Sequence, residues 1–403
     1  MIATGFSPAP TPAQGATHAP RPFSEAATDL SFPEMPPAPR LIAHDIYRRS
    51  SYGTRHPLSI PRVSAALDLI DAMGWLDVQQ YIESPTASRD EICRFHDADY
   101  VDALIEAERT QRASPEVRRR FNFGVNGNPV FPEMFRRPAT ACGGTLKAAA
   151  LLLKEGGIIH HLAGGTHHGR RDRASGFCFL NDVVLGILKL LDSGLSRVAY
   201  VDLDAHHGDG VEAAFAGDWR VLAISIHEEG RWPFSGAAED RAGGSARNLP
   251  VPAGFNDSEM EFLIERAVLP LLGQFQPDAL VIQCGADALA DDPMSGGMLS
   301  NRAIWEAVGR LSETAPRLLV LGGGGYNPWS VARCWAGLWA TLNRLAPDQV
   351  PTATARAVLR ELTWSRSQGR NPPEHWSSTI ADPKRPGEVR SRILELVAVS
   401  LTP

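Results

Sequence analysis

The chain has 403 residues, 43% of them hydrophobic and 21% charged, with 40 Lys and Arg against 46 Asp and Glu for a formal net charge of -6. That length is enough for one large α/β domain or two smaller ones with a well-buried core, and the acidic balance gives no general affinity for nucleic acid. Five scattered cysteines, Cys93, Cys142, Cys178, Cys284 and Cys334, with no C-x-x-C pair, argue against a zinc ribbon or a disulfide framework and for a reducing cytoplasm. No apolar run of about 18 residues predicts a membrane span, and the start of the chain lacks the basic and apolar segments of a signal peptide.

Residues 1–40 are rich in Pro, Ala, Ser and Thr and read as a surface-draped arm; residues 41–403, C-terminal tail included, read as one globular domain. An amphipathic helix is predicted from Pro61 to Met73, with Arg62 in its first turn. Two helical patterns follow between Ser88 and Glu108, then a Gly/Asn/Pro loop from Asn122 to Phe131 of the kind that rims pockets. A helix from Pro138 to Leu153 carries small residues suited to close packing. A strand from Gly156 then delivers Gly164-Gly-Thr-His-His-Gly169, and Ala174 to Asp182 opens a helix to Leu191.

The alternation then repeats, with strands at 197–203, 220–227, 279–284 and 317–321 and helices near 209–216, 257–275, 301–313 and 329–343, around a Gly-rich excursion at 229–246. Strands alternating with helices mean an α/β single domain, a parallel sheet with helices on both faces. The polar clusters all fall just after strands, at His167-His168, Asp204 to His206, Asp287 and Gly322-Gly-Gly-Gly-Tyr-Asn327. In an open parallel sheet those positions share the carboxyl edge, where ligands bind.

The stretch Arg197 to Asp209 brings Asp202, Asp204, His206, His207 and Asp209 within eight residues at the end of a buried strand. Burying them is costly unless they pair with one another or hold a cation. Asp204 and His206, two apart, with Asp287 from another strand, form a three-ligand set with coordination positions left open, as in catalytic zinc sites. Oxygen-rich ligation also admits Fe2+, Mn2+ or Co2+. His167 and His168 are suited to take a proton from a metal-activated water and return it to a leaving amine. Asp202 and Asp209 are candidates to orient their far ring nitrogens. Tyr326, after four glycines, can aim its hydroxyl at a polarised carbonyl oxygen. Phe177 beside Gly176, with Trp232 or Phe234, can wall a narrow tube. Cys178 opens a buried helix and is read as structural rather than nucleophilic.

Five blocks in order, Gly164-Gly-Thr-His-His-Gly, Ala174-Ser-Gly-Phe-Cys-Phe-Leu-Asn-Asp, Tyr200-Val-Asp-Leu-Asp-Ala-His-His-Gly-Asp-Gly-Val, Gln283-Cys-Gly-Ala-Asp-Ala-Leu and Leu321-Gly-Gly-Gly-Gly-Tyr, resemble the signatures of the zinc-dependent histone deacetylase family. The likeness includes its bacterial deacetylase-like and acetoin-utilisation-like branch, covers about residues 42–345, and extends to a tail at 381–390. It implies the arginase/deacetylase plan, one α/β domain around a parallel sheet of about eight strands. It also implies Asp204, His206 and Asp287 as ligands of Zn2+, with His167 paired to Asp202 and His168 to Asp209 as the proton-handling groups. Tyr326 becomes the carbonyl-polarising residue, and Gly176, Phe177 and Phe234 line the acyl-lysine tunnel. Asp202, Asp204, His206, Ser225 and Ile226 would surround a structural K+, and Arg62 would face an internal cavity for the released acid.

The implied activity is hydrolysis of an acetyl or longer acyl amide on a lysine side chain, in a peptide or protein, or on a similar acylated amine. Nucleic acid and membrane partners are not expected. Many family members carry an acid that clasps peptide backbone just before Pro-Val-Phe, whereas here the loop reads Asn126-Gly127-Asn128, so an acetylpolyamine or other small-molecule amidohydrolase is a second reading. A binuclear manganese ureohydrolase is a third and would need further carboxylates; a non-catalytic acyl-lysine binder is a fourth.

Overall fold

The computed structural model describes residues 37–402, so the expected arm at 1–40 lies almost wholly outside the described residues. Eight strands are described: β1 Arg40–Ala43, β2 Tyr81–Glu83, β3 Gly157–His161, β4 Val198–Asp202, β5 Val221–Glu228, β6 Ala246–Val251, β7 Ala279–Gln283 and β8 Arg317–Leu321. They form one sheet in the order β2-β1-β3-β8-β7-β4-β5-β6, with every neighbouring pair parallel.

Apolar side chains alternate between the two faces as strand geometry requires. Ala199 and Val201 of β4, Leu280 and Ile282 of β7, and Leu318 and Val320 of β8 enter one core, which contains the helices Val63–Ala72, Asn301–Leu311 and Pro328–Leu342. Tyr200, Val281 and Leu319 enter the other, with Ala98–Thr110, Arg136–Glu155 and Asp182–Asp192. Burial on both faces is why these strands read as continuous apolar runs.

Three strands were not anticipated from the pattern: β1, β2 and β6. β2 and β6 form the two edges and β1 is next to β2. β1 and β2 have four and three residues, too few to display a period, and β6 continues directly from the Gly-rich excursion. The helix expected at 257–275 runs as Asp257–Leu263, a wider π turn at Ile264–Val268, and Leu269–Phe275. The C-terminal tail is tied to the body: Asn301 Nδ2 donates to Ile380 O at 2.8 Å, Asp382 pairs with buried Arg333 at 2.6 Å, and Arg390 grips Glu259 through two nitrogens at 2.6 and 2.7 Å.

Candidate active site

The four polar clusters follow β3, β4, β7 and β8, and the sheet order makes those strands consecutive neighbours: β3, β8, β7, β4. Their carboxyl ends place Asp204, His206 and Asp287 together, with one ligand atom from each lying within 4.8 Å of the others, all three buried. His206 Nδ1 lies 3.1 Å from Asp204 Oδ1 and 3.0 Å from Asp287 Oδ2.

The surrounding backbone is shaped to these oxygens. Asp204 Oδ2 accepts from Gln283 Nε2 and from the Gly324 amide, each at 2.8 Å, and Asp287 Oδ1 accepts from the Ala205 amide at 3.0 Å. A Cβ on Gly324 would lie 2.1 Å from Asp287 Oδ2, and one on Gly285 would lie 2.1 Å from Asp204 Oδ2, so only glycine lets the chain pass there.

The cluster draws positive charge to one point. Burial together with the charge of Asp204 pushes the Asp287 carboxyl up. Burial works against a charged His206, yet hydrogen bonds to Asp204 and Asp287 raise that ring to about 10. Two carboxylates and an imidazole converging in a buried pocket suit Zn2+ with positions left open, or Fe2+, Mn2+ or Co2+. Among the described residues this is the one such group of three. His207 has other partners, its Nδ1 lying 2.9 Å from Ser235 Oγ and its Nε2 3.1 Å from Glu212 Oε2.

His167 Nδ1 donates to Asp202 Oδ2 and His168 Nδ1 to Asp209 Oδ1, each at 2.7 Å. The Asp202 carboxylate is itself held by Tyr200 OH at 2.6 Å and the Asp204 amide at 3.1 Å, and that of Asp209 by Arg170. With Nδ1 committed, each ring is left with Nε2 for other work. The two rings diverge in basicity. Burial opposes charge on His167, but Asp202 and Asp204 raise it to about 9. Burial and the neighbouring His167 lower His168 to about 3. Tyr326 keeps its hydroxyl proton firmly, because burial and the nearby Asp287 and Asp204 push it well above the ordinary phenol range. Asp292, not singled out from sequence, accepts the Tyr326 amide at 2.6 Å and the Met294 amide at 2.9 Å and so fixes this turn.

Above the cluster is a pocket of about 500 Å³ whose lining includes His168, Gly176, Phe177, Trp232, Met294 and Tyr326. A Cβ on Gly176 would lie 2.5 Å from both His168 Cδ2 and the Trp232 ring. Phe234, expected in the wall, stands 76% exposed instead. Trp232 takes the wall position, its ring 4.7 Å from that of His168. Phe234 itself adopts a left-handed backbone conformation, φ +63°.

The loop without an acid has a different task. Asn128 Oδ1 accepts the Phe177 amide at 3.0 Å, and a Cβ on Gly127 would lie 2.5 Å from the Phe177 ring. His56 Nε2 bonds to Gly127 O at 2.9 Å. Gly127 and Asn128 therefore seat Phe177 in the pocket lining. Arg62, half-buried, lines an inner cavity together with Tyr52, Gly165 and Tyr326 and donates to Gly323 O at 2.5 Å. Ser225 is in register with Asp202 on the adjacent strand β5, followed by Ile226, and the Ser225 hydroxyl lies 2.9 Å from His227 Nδ1.

Comparison with known proteins agrees with this geometry. Residues 56–342 match the family model described as "Histone deacetylase domain". Putative histone deacetylase 2 of Caenorhabditis elegans is 36% identical over 293 residues, which is 71% of this chain and 57% of that protein, so the chain spans little more than half of that relative's length. Two solved structures, an HDAC homologue from Aquifex aeolicus and an HDAC homologue complexed with SAHA, each superpose with a TM-score of 0.86 at 34% identity, covering 91% of this chain and 100% of theirs. With most of its length matched in sequence and its whole sheet matched in structure, this chain belongs to the histone deacetylase family.

Proposed function

We propose that the protein is a metal-dependent amide hydrolase that removes an acetyl or longer acyl group from the side-chain nitrogen of lysine or of a similar amine. The observation that carries this reading is the convergence of Asp204, His206 and Asp287 at the floor of a pocket walled by His168, Phe177 and Tyr326. A divalent ion held by those three ligands would polarise the amide carbonyl and acidify a water molecule beside it. His168 takes the water proton at Nε2 while Asp209 holds Nδ1. Tyr326 donates its hydroxyl to the carbonyl oxygen as charge develops there. His167, its Nδ1 hydrogen-bonded to Asp202, is placed to give a proton to the amine as the C–N bond breaks. Phe177 and Trp232 sheathe an extended acyl-amine stem, Arg62 faces the inner cavity that would receive the released acid, and Asp202, Asp204, His206, Ser225 and Ile226 would hold a potassium ion behind the catalytic metal.

The test is a turnover screen of purified, zinc-loaded protein against acyl-lysine peptides of graded acyl length and against acylated polyamines, with Tyr326→Phe as control. We expect hydrolysis of at least one class and a loss of about a hundredfold in kcat in the control, the scale of one oxyanion donor. Undiminished turnover by Tyr326→Phe removes that residue from the mechanism, and no turnover of any acyl amine despite full metal loading leaves a binding protein in its place.

A further inference from the structure

His167 and His168 are fixed by their rings and also, separately, by their backbone. The Nδ1 bonds to Asp202 and Asp209 set ring orientation, but a ring moves with the chain that bears it. The chain on both sides of the pair is held by two consecutive side chains, Asn181 and Asp182, at the start of the helix Asp182–Asp192, and neither has any exposed surface.

Ahead of the histidines, Asp182 Oδ1 accepts the amides of Gly165 at 3.1 Å and Thr166 at 2.8 Å together with the Thr166 hydroxyl, while Oδ2 accepts Thr145 Oγ1 at 2.6 Å. Within and beyond the pair, Asn181 Nδ2 donates to the carbonyls of His167 at 3.2 Å and Gly169 at 2.9 Å. The Asn181 Oδ1 meanwhile caps the helix by accepting the Val184 amide at 3.1 Å. From the other side the start of the helix Asp209–Ala214 closes on the same carbonyls: a Cβ on Gly210 would lie 2.4 Å from His167 O and 2.8 Å from Gly169 O.

Capping a helix needs only one side-chain acceptor. The two amide donors of Asn181 are surplus to that task and go to the carbonyls that frame His168. The geometry points to Asn181 and Asp182 as positioning residues, a clamp that holds the His167-His168 backbone beside the three converging ligands. Neither touches the pocket, and both act through the histidines. The inference rests on the hydrolase reading, because a clamp matters to rate only if the histidines move protons. A displacement of about 1 Å at such a base costs on the order of a hundredfold in rate.

Asn181→Ser separates the two roles of Asn181: serine caps a helix as well as asparagine does, but its single short hydroxyl cannot also bridge two carbonyls. Asn181→Ala removes both. We expect the Ser and Ala variants to lose kcat alike, by about tenfold to a hundredfold, with KM changed by less than about twofold, while the Ser variant keeps the wild-type metal content and, through its retained cap, a higher Tm than the Ala variant. A second measurement does not depend on turnover: the downfield proton resonances of the two His–Asp hydrogen bonds should shift or broaden in Asn181→Ser. Wild-type kcat and unshifted resonances in the Ser variant, with only the Ala variant impaired, would reduce Asn181 to a helix cap and overturn the clamp. If the wild-type protein hydrolyses no acyl amine, the hydrolase reading falls and the resonances alone decide the clamp, shifted in its favour and unshifted against it.

Discussion

At the floor of the pocket, Asp204 receives Gln283, the Gly324 amide and the His206 amide, and both His167 and His168 are backed by carboxylates that have partners of their own. At the mouth, Trp232 is 38% exposed and Phe234 76% exposed, Asn126 sits in a left-handed turn, and Met294 is approached by the Arg366 guanidinium at 3.9 Å. Floor geometry is over-determined, each carboxylate answering to two or more other groups, whereas the mouth is built of rings and loops with few partners. Reaction type would then be set by the floor and substrate choice by the mouth, where the usual acid of the family is replaced by residues that seat Phe177.

That contrast breaks first if a floor ligand proves dispensable. Asp287→Ala should reduce metal content from about one ion per chain to near zero and abolish hydrolysis, as expected when a three-ligand site loses a ligand, read by elemental analysis alongside turnover. A smaller effect concerns buried histidines outside the pocket lining. Burial lowers His96 to about 4, and burial together with His161 lowers His160 to about 3, against 6.5 in an unfolded chain. Below 6.5 the unfolded chain binds protons that the folded rings refuse, so the stability these rings contribute is complete above that pH and drains away as pH falls toward the folded values. Each should cost about 2 kcal/mol at about pH 5, measured as a fall in unfolding free energy that His160→Asn partly removes.

At the mouth, Trp232→Ala should raise KM about tenfold, equivalent to roughly 1.4 kcal/mol of lost ring contact, with kcat much less affected; a collapse of kcat instead would move Trp232 to the floor. Smallest of all, Phe234→Ala should leave kcat/KM on a short acyl-lysine substrate within about twofold, the range of surface substitutions. A large loss would show that the substrate body rests on the exposed ring and would sharpen the division between stem and body recognition.

The floor was legible in the sequence because its chemistry is written in contiguous words. Asp204-Ala-His206 and His167-His168 are adjacent along the chain, and their strands are buried on both sides, so charge after an apolar run stands out. β1 and β2 were not legible, since four and three residues display no period, and the six-residue edge strand β6 was hidden because it continues directly from the Gly-rich excursion. Trp232 and Phe234 could not be told apart by spacing, because both are aromatic residues of one short excursion and only the fold puts Trp232 in the pocket lining and leaves Phe234 exposed. Asn181 and Asp182 were visible as a helix opening, but only coordinates reveal that their surplus hydrogen-bonding capacity is directed at the histidine segment. Asp292 gave no signal at all, as its partners are backbone amides.

The sheet order has a consequence for biosynthesis. β3 and β4 leave the ribosome well before β7 and β8, yet the later pair must lie between them. The nascent sheet cannot zip in the order of translation; it holds a two-strand gap with two unpaired apolar borders until about residue 321 has emerged, and parallel pairings so distant in sequence form slowly. Chains stalled before β8 should therefore be the aggregation-prone species during expression, and the third ligand, Asp287, joins Asp204 and His206 only once β7 has slotted beside β4.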